Sequence, residues 1–168
     1  MLIKQHIDRD GFTIVELLLG LAITAMLLTA IAVAFEASTV NYRLNRDIFR
    51  TTNKARQALV RMTNQLRSAN AVDPNENAYR CSLITKDSED ITYEYNSSDN
   101  KLYLITNDDL SDDDYVLCDN VSAVTFAKST DSQGGVVYVR SVQISMTVES
   151  DNAQKTLSTA VAVRKNLD

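Results

Sequence analysis

Gly11-Phe12-Thr13-Ile14-Val15-Glu16-Leu17, with the apolar run that continues from it as far as Phe35, decides how the chain is read. From Phe12 to Phe35 the one charged side chain is Glu16, the one glycine is Gly20, and there is no proline. These 24 residues would form a helix about 36 Å long at about 1.5 Å per residue. That length crosses a hydrocarbon core of about 30 Å with modest tilt. Glu16 is the anomaly, because a carboxylate in hydrocarbon costs at least about 3 kcal/mol unless it is paired or neutralised. Close to the end of the span it can snorkel to the headgroups or take up a proton. The other solution needs a cation at the same depth. Scission between Gly11 and Phe12 would create an α-ammonium on Phe12 one helical turn from Glu16. A neighbouring copy could present its own ammonium to the same carboxylate, and such pairing favours lateral assembly of helices.

At these residues the chain resembles the type IV pilin-like proteins of pili, type II secretion pseudopili and competence pseudopili. In that family a short polar leader ends in Gly, Phe usually follows, a Glu comes four residues later, and a long apolar helix runs on. Gly11, Phe12 and Glu16 match those positions, and Thr13, Ile14, Val15 and Leu17 fit around them. The resemblance implies cleavage after Gly11 by a prepilin peptidase at the cytoplasmic face and N-methylation of Phe12, and the pairing argument gives Glu16 its role in assembly. One departure is the lack of the mid-span proline that many major pilins carry, which removes the expectation of a kink or melted turn there.

Outward from this stretch, four segments are expected: a leader at 1–11, a transmembrane and assembly helix at 12–35, an amphipathic stalk at 36–70 and a β-rich head at 71–168. The leader is polar, with Lys4, His6, Arg9, Asp8 and Asp10. A conventional signal peptide competes, since Ala30-Ile31-Ala32 or Ala32-Val33-Ala34 would serve its peptidase, but the apolar core is long for that role and contains a glutamate. Charge divides the remainder. Glu36 to Arg67 holds seven basic and two acidic residues, whereas the chain from Asp73 onward holds eight basic and seventeen acidic. Flanking charge alone would keep the head inside, so an outside head rests on the resemblance and the cysteines.

After Phe35 the apolar residues narrow to Val40, Leu44, Ile48, Thr51, Ala55, Leu59, Met62, Leu66 and Ala69, spaced by three and four as on one helical face. One rod is therefore expected from about Thr13 to about Asn70, stopped at Asp73-Pro74-Asn75. Its stripe requires a covering partner. Short alternating runs supply one: Cys81 to Thr85, Ile91 to Tyr95, Leu102 to Ile105, Val121 to Phe126, Val136 to Val148 and Thr156 to Val163, with turns at 96–100, Gly134-Gly135 and 150–153. The fold class is α+β, a long N-terminal helix, membrane-spanning in its first half and amphipathic in its second, packed on an antiparallel β-sheet head.

Cys81 and Cys118 are a candidate disulfide worth roughly 4 kcal/mol, or two reduced cysteines buried as small hydrophobes. No cysteine follows Cys118, unlike the C-terminal loop of many major pilins. With Leu59, Met62, Leu66, Arg67 and Ala69 before the head and Val161-Ala162-Val163-Arg164-Lys165-Asn166 at its end, the chain is most similar to minor pilins and pseudopilins of the J and W types. In that group the subunits prime the filament and end at its tip.

Little chemistry is expected. His6 is the sole histidine and lies in the leader, so the mature chain would have no imidazole for a triad, a zinc site or acid-base work. No phosphate-binding glycine pattern occurs, and enzymatic activity and a small-molecule substrate are not expected. Asp108, Asp109, Asp112, Asp113 and Asp114 are a weaker calcium candidate without the glycine and terminal glutamate of an EF-hand loop, and a solvated loop is preferred. The expected partners are other pilin subunits, the prepilin peptidase and the membrane, with nucleic acid only for a competence pilus. The expected location is the bacterial inner membrane, crossed once with the head outside, and then a filament tip. The competing function is a monomeric membrane-anchored or secreted binding domain.

Overall fold

The computed structural model describes residues 11–108, 114–150 and 153–166. The remainder of the leader, Asp109, Asp112 and Asp113 of the acidic run, and Asp151-Asn152 of the last expected turn lie outside the described residues. A single helix, α1, runs Ile14–Arg67, 54 residues. The chain divides into two compact units at Arg43 and Leu44.

In the first unit α1 is unbroken and its large apolar side chains, from Ile14 to Val40, are exposed. Its mean hydropathy reaches 2.5 over an 18-residue window, long and apolar enough to cross a membrane. The threonines in this stretch hide their hydroxyls by donating back to the helix. Thr24 Oγ1 bonds Gly20 O at 2.7 Å, Thr29 Oγ1 bonds Met26 O at 2.8 Å, and Thr39 Oγ1 bonds Phe35 O at 2.9 Å. Such bonds satisfy polar groups where water would not.

In the second unit α1 buries Thr51, Thr52, Ala55, Ala58, Leu59, Met62 and Leu66 against β-structure. The expected stripe is thus covered only from Thr51, while Val40 and Leu44 stay exposed. The helix ends before Pro74: Ser68 Oγ donates back to Asn64 O at 3.0 Å, and Asn70 Nδ2 donates to Thr85 O at 2.8 Å. Asn70 thereby hands the chain to the first sheet.

The expected antiparallel β-sheet head is present and is built as two sheets. The first has five strands in chain order, β1 (Ala71–Val72), β2 (Arg80–Ile84), β3 (Asp90–Asn96), β4 (Lys101–Thr106) and β5 (Tyr115–Cys118). The second has β6 (Val121–Gln133), β7 (Val136–Ser150) and β8 (Ala153–Ala162). The break falls between Cys118 and Val121, where Asn120 takes φ 54°, a left-handed turn that asparagine tolerates. At the β6–β7 hairpin, Gly134 and Gly135 have φ of 60° and 82°, as a two-residue turn of the inverse type requires. Alternation places Val142, Ile144, Met146 and Val148 of β7 in the core with Val161, Leu83, Tyr93 and Leu102. Lys128 of β6 is nearly buried, its Nζ donating to Glu76 O at 3.3 Å and Arg80 O at 3.2 Å.

Candidate assembly site

The head of α1 is organised by Thr13 and Glu16. Thr13 stands immediately before the first helical residue, and its N–H and hydroxyl both donate to Glu16 Oε2, at 3.0 and 2.9 Å. In return Glu16 N–H donates to Thr13 Oγ1 at 3.3 Å, and Leu17 N–H reaches Thr13 O at 3.2 Å. This reciprocal pair is a capping box, satisfying donors that a helix start leaves open. The carboxylate also lies at the positive end of the helix dipole. Among the described residues no cation pairs with Glu16. The Thr13-x-x-Glu16 spacing carries this box in the sequence, where Glu16 stands out first as an intramembrane acid suited to assembly.

The residues before the box are open. Phe12 is 87 % exposed. A Cβ placed on Gly11 would meet nothing within 4 Å, so packing gives no reason for glycine at this position. Gly11 and Phe12 are both exposed, and the aromatic is followed directly by the cap.

The other candidates are placed differently. Cys81 and Cys118 are free, buried thiols. Cys81 is on β2 and Cys118 on β5, with β3 and β4 between them. Three strand spacings of about 4.8 Å set their Cα atoms about 14 Å apart, twice what a disulfide spans. In this structure the two thiols are unbridged and lie among the core residues. Burial pushes the Cys81 thiol up to about 12 and that of Cys118 up to about 11. Of the calcium candidate only Asp108 and Asp114 are described. Asp108 Oδ2 accepts the Asp90 N–H at 3.1 Å, and no metal-ligating group of three is found among the described residues.

The basic stretch of α1 is partly engaged. Lys54 pairs with Asp119 at 2.7 Å, and Arg61 lies 5.5 Å from the centre of the Tyr115 ring. Both contacts tie the helix to the end of the first sheet at β5.

Residues 8–32 match the prokaryotic N-terminal methylation motif. The match covers the Gly11–Phe12 junction, the capping box and most of the exposed apolar helix, and it supports a type IV pilin-like protein anchored by a single span. Such a motif suggests a structural subunit rather than an enzyme. Neither the curated proteins nor the solved structures yield a match to the chain.

Proposed function

We propose that the chain is a minor pilin or pseudopilin that helps initiate or cap a type IV pilus, a type II secretion pseudopilus or a competence pseudopilus. The observation that carries this reading is the capped acid at the head of an exposed apolar helix, inside the stretch that matches the methylation motif. Prepilin peptidase cuts between Gly11 and Phe12, and Phe12 is methylated. The new ammonium then lies one residue before the capping box, within a turn of the Glu16 carboxylate. A neighbouring subunit can bring its own ammonium to the same acid, or lend its acid to this ammonium. The low dielectric at that depth strengthens the attraction.

The minor assignment, of the J or W type, is supported by the Leu59, Met62, Leu66, Arg67 and Ala69 pattern and by the Arg164-Lys165-Asn166 ending. The second unit lies outside the cytoplasm, and the protein passes from the inner membrane to the filament tip. Other pilin subunits are its partners, and no cofactor is needed.

The test is in vivo cross-linking from a cysteine engineered at Ile14, with sheared filaments analysed in parallel. Wild type should cross-link to partner subunits, and Glu16→Ala should lose most of that signal at matched expression. Cross-links and filament recovery unchanged by Glu16→Ala would mean that Glu16 has no pairing role, whereas a wild type that forms no cross-links to partner subunits would leave a monomeric anchored domain as the better account.

A further inference from the structure

Edge strands invite pairing, and proteins blunt them by shortness, bulges, prolines or charges. Three of the outer edges here are blunted. β1 has two residues and β5 four, with a register shift where β5 meets β4. β6 is covered in part, its Phe126 N–H donating to Ala78 O at 2.6 Å. β8 is different. It has ten residues, pairs with β7 without a bulge, and borders no other strand. From Thr156 to Ala162 its sequence, Thr-Leu-Ser-Thr-Ala-Val-Ala, has neither charge nor proline.

The seam between β8 and α1 is also open. One hollow of about 500 Å³ lies between Leu59, Val60 and Thr63 of the helix and Leu157 and Thr159 of the strand. A second, of about 260 Å³, lies between Phe49 and Lys155. Arg56 lines both. Val60 is 60 % and Phe49 65 % exposed. On the opposite flank the helix cations Lys54 and Arg61 are taken up by Asp119 and Tyr115. Arg56 and Lys155, in contrast, have no ion-pair partner among the described residues.

We propose that β8 is a docking edge for an extended acidic segment of a partner chain. The segment adds to the second sheet as a fourth strand, seats an apolar side chain in the hollow beside Val60 and Leu157, and directs carboxylates at Arg56 and Lys155. Main-chain hydrogen bonds supply the affinity of such strand addition, and the hollow and the two cations supply the choice of sequence. The surface belongs to the second unit alone, so its fate is separate from that of cleavage or of Glu16.

The probe is a capped decapeptide of alternating Glu and Val, titrated by fluorescence anisotropy onto the full chain in detergent micelles, with alternating Lys and Val as its counterpart. Hydrogen exchange locates the bound peptide. The acidic peptide should bind at least tenfold more tightly than the basic one and slow exchange along β8. Methylating alternate peptide nitrogens on the paired edge should abolish binding. The double variant Arg56→Glu, Lys155→Glu, altered only at exposed positions, should reverse the preference. Equal binding of both peptides, binding that survives nitrogen methylation, or protection of β8 by phosphatidylglycerol vesicles and not by the peptide would overturn the proposal.

Discussion

Thr13 and Glu16 hold each other at the start of α1, the threonine giving its N–H and hydroxyl to one carboxylate oxygen and receiving the glutamate N–H in return. The acid that is costly in an apolar span is therefore already useful to its own helix. It keeps one oxygen, Oε1, outside the box. Capping and pairing with a neighbour are compatible, and they can be separated by substitution.

Glutamine can close a capping box as glutamate does but carries no charge. Glu16→Gln should keep hydrogen-exchange protection over residues 14–17 in micelles yet lose cross-linking as Glu16→Ala does. Thr13→Ala should do the reverse, fraying the first turn by about 1 kcal/mol while retaining most cross-links. If Glu16→Gln assembles like wild type, the carboxylate acts only as a cap.

The core of the second unit should respond to truncation where α1 meets the sheets. Met62 and Leu66 are fully buried, so either one changed to Ala should cost about 2–5 kcal/mol in denaturant unfolding followed by tyrosine fluorescence. Val40→Ala, at a position half exposed, should change it by less than about 0.5 kcal/mol. Equal effects at Val40 and Met62 would contradict the observed start of the buried stripe.

These positions show how far the sequence could be read. Helical spacing located the stripe but not its beginning, because Val40 and Leu44 fit the period as well as Leu59 does. Coverage depends on where the sheets end. Alternation located β3, β4, β7 and β8 well. It missed β1 and β5, which are two and four residues long, and in β5 Tyr115 and Val116 are exposed. Such strands exist through their partners rather than their pattern. The division into two sheets turns on the conformation of Asn120, and the separation of Cys81 from Cys118 turns on strand order. Neither is written in local composition. The capping box, by contrast, was written in the four residues that open the helix.

The thiols carry a pH dependence. Unfolded cysteine ionises near about 8.5, whereas burial holds Cys81 up to about 12 and Cys118 up to about 11 in the fold. Above about pH 8.5 the unfolded chain releases protons that the native state keeps, so stability is intact below that pH and falls as pH rises toward the folded values. The slope approaches about 1.4 kcal/mol per pH unit for each thiol. Denaturant midpoints at pH 7 and pH 10 measure it. In the folded protein both thiols should resist an aromatic disulfide reagent at pH 8 and react fully in denaturant, and non-reducing peptide mapping should recover no Cys81–Cys118 linkage.

Two lysines at different depths should differ in weight. The Lys128 side chain is 6 % exposed and serves two backbone carbonyls, whereas Lys54 is 58 % exposed in its pair with Asp119. Lys128→Met should cost about 2–3 kcal/mol by leaving buried acceptors unsatisfied. Lys54→Met should cost less than about 1 kcal/mol. Thermal unfolding of both variants under one set of conditions decides between this ordering and its inverse.

The central claim is that the chain becomes an assembly subunit by exposing Phe12 as its amino terminus, directly before the Thr13–Glu16 cap. Intact-mass and N-terminal peptide analysis of the protein from the membrane fraction of its native host tests it most directly. The account predicts a chain that begins at Phe12 and carries one added methyl group on its terminal nitrogen. A mature terminus at Ala32, Val33 or Phe35, or a chain that retains Gly11, would contradict it.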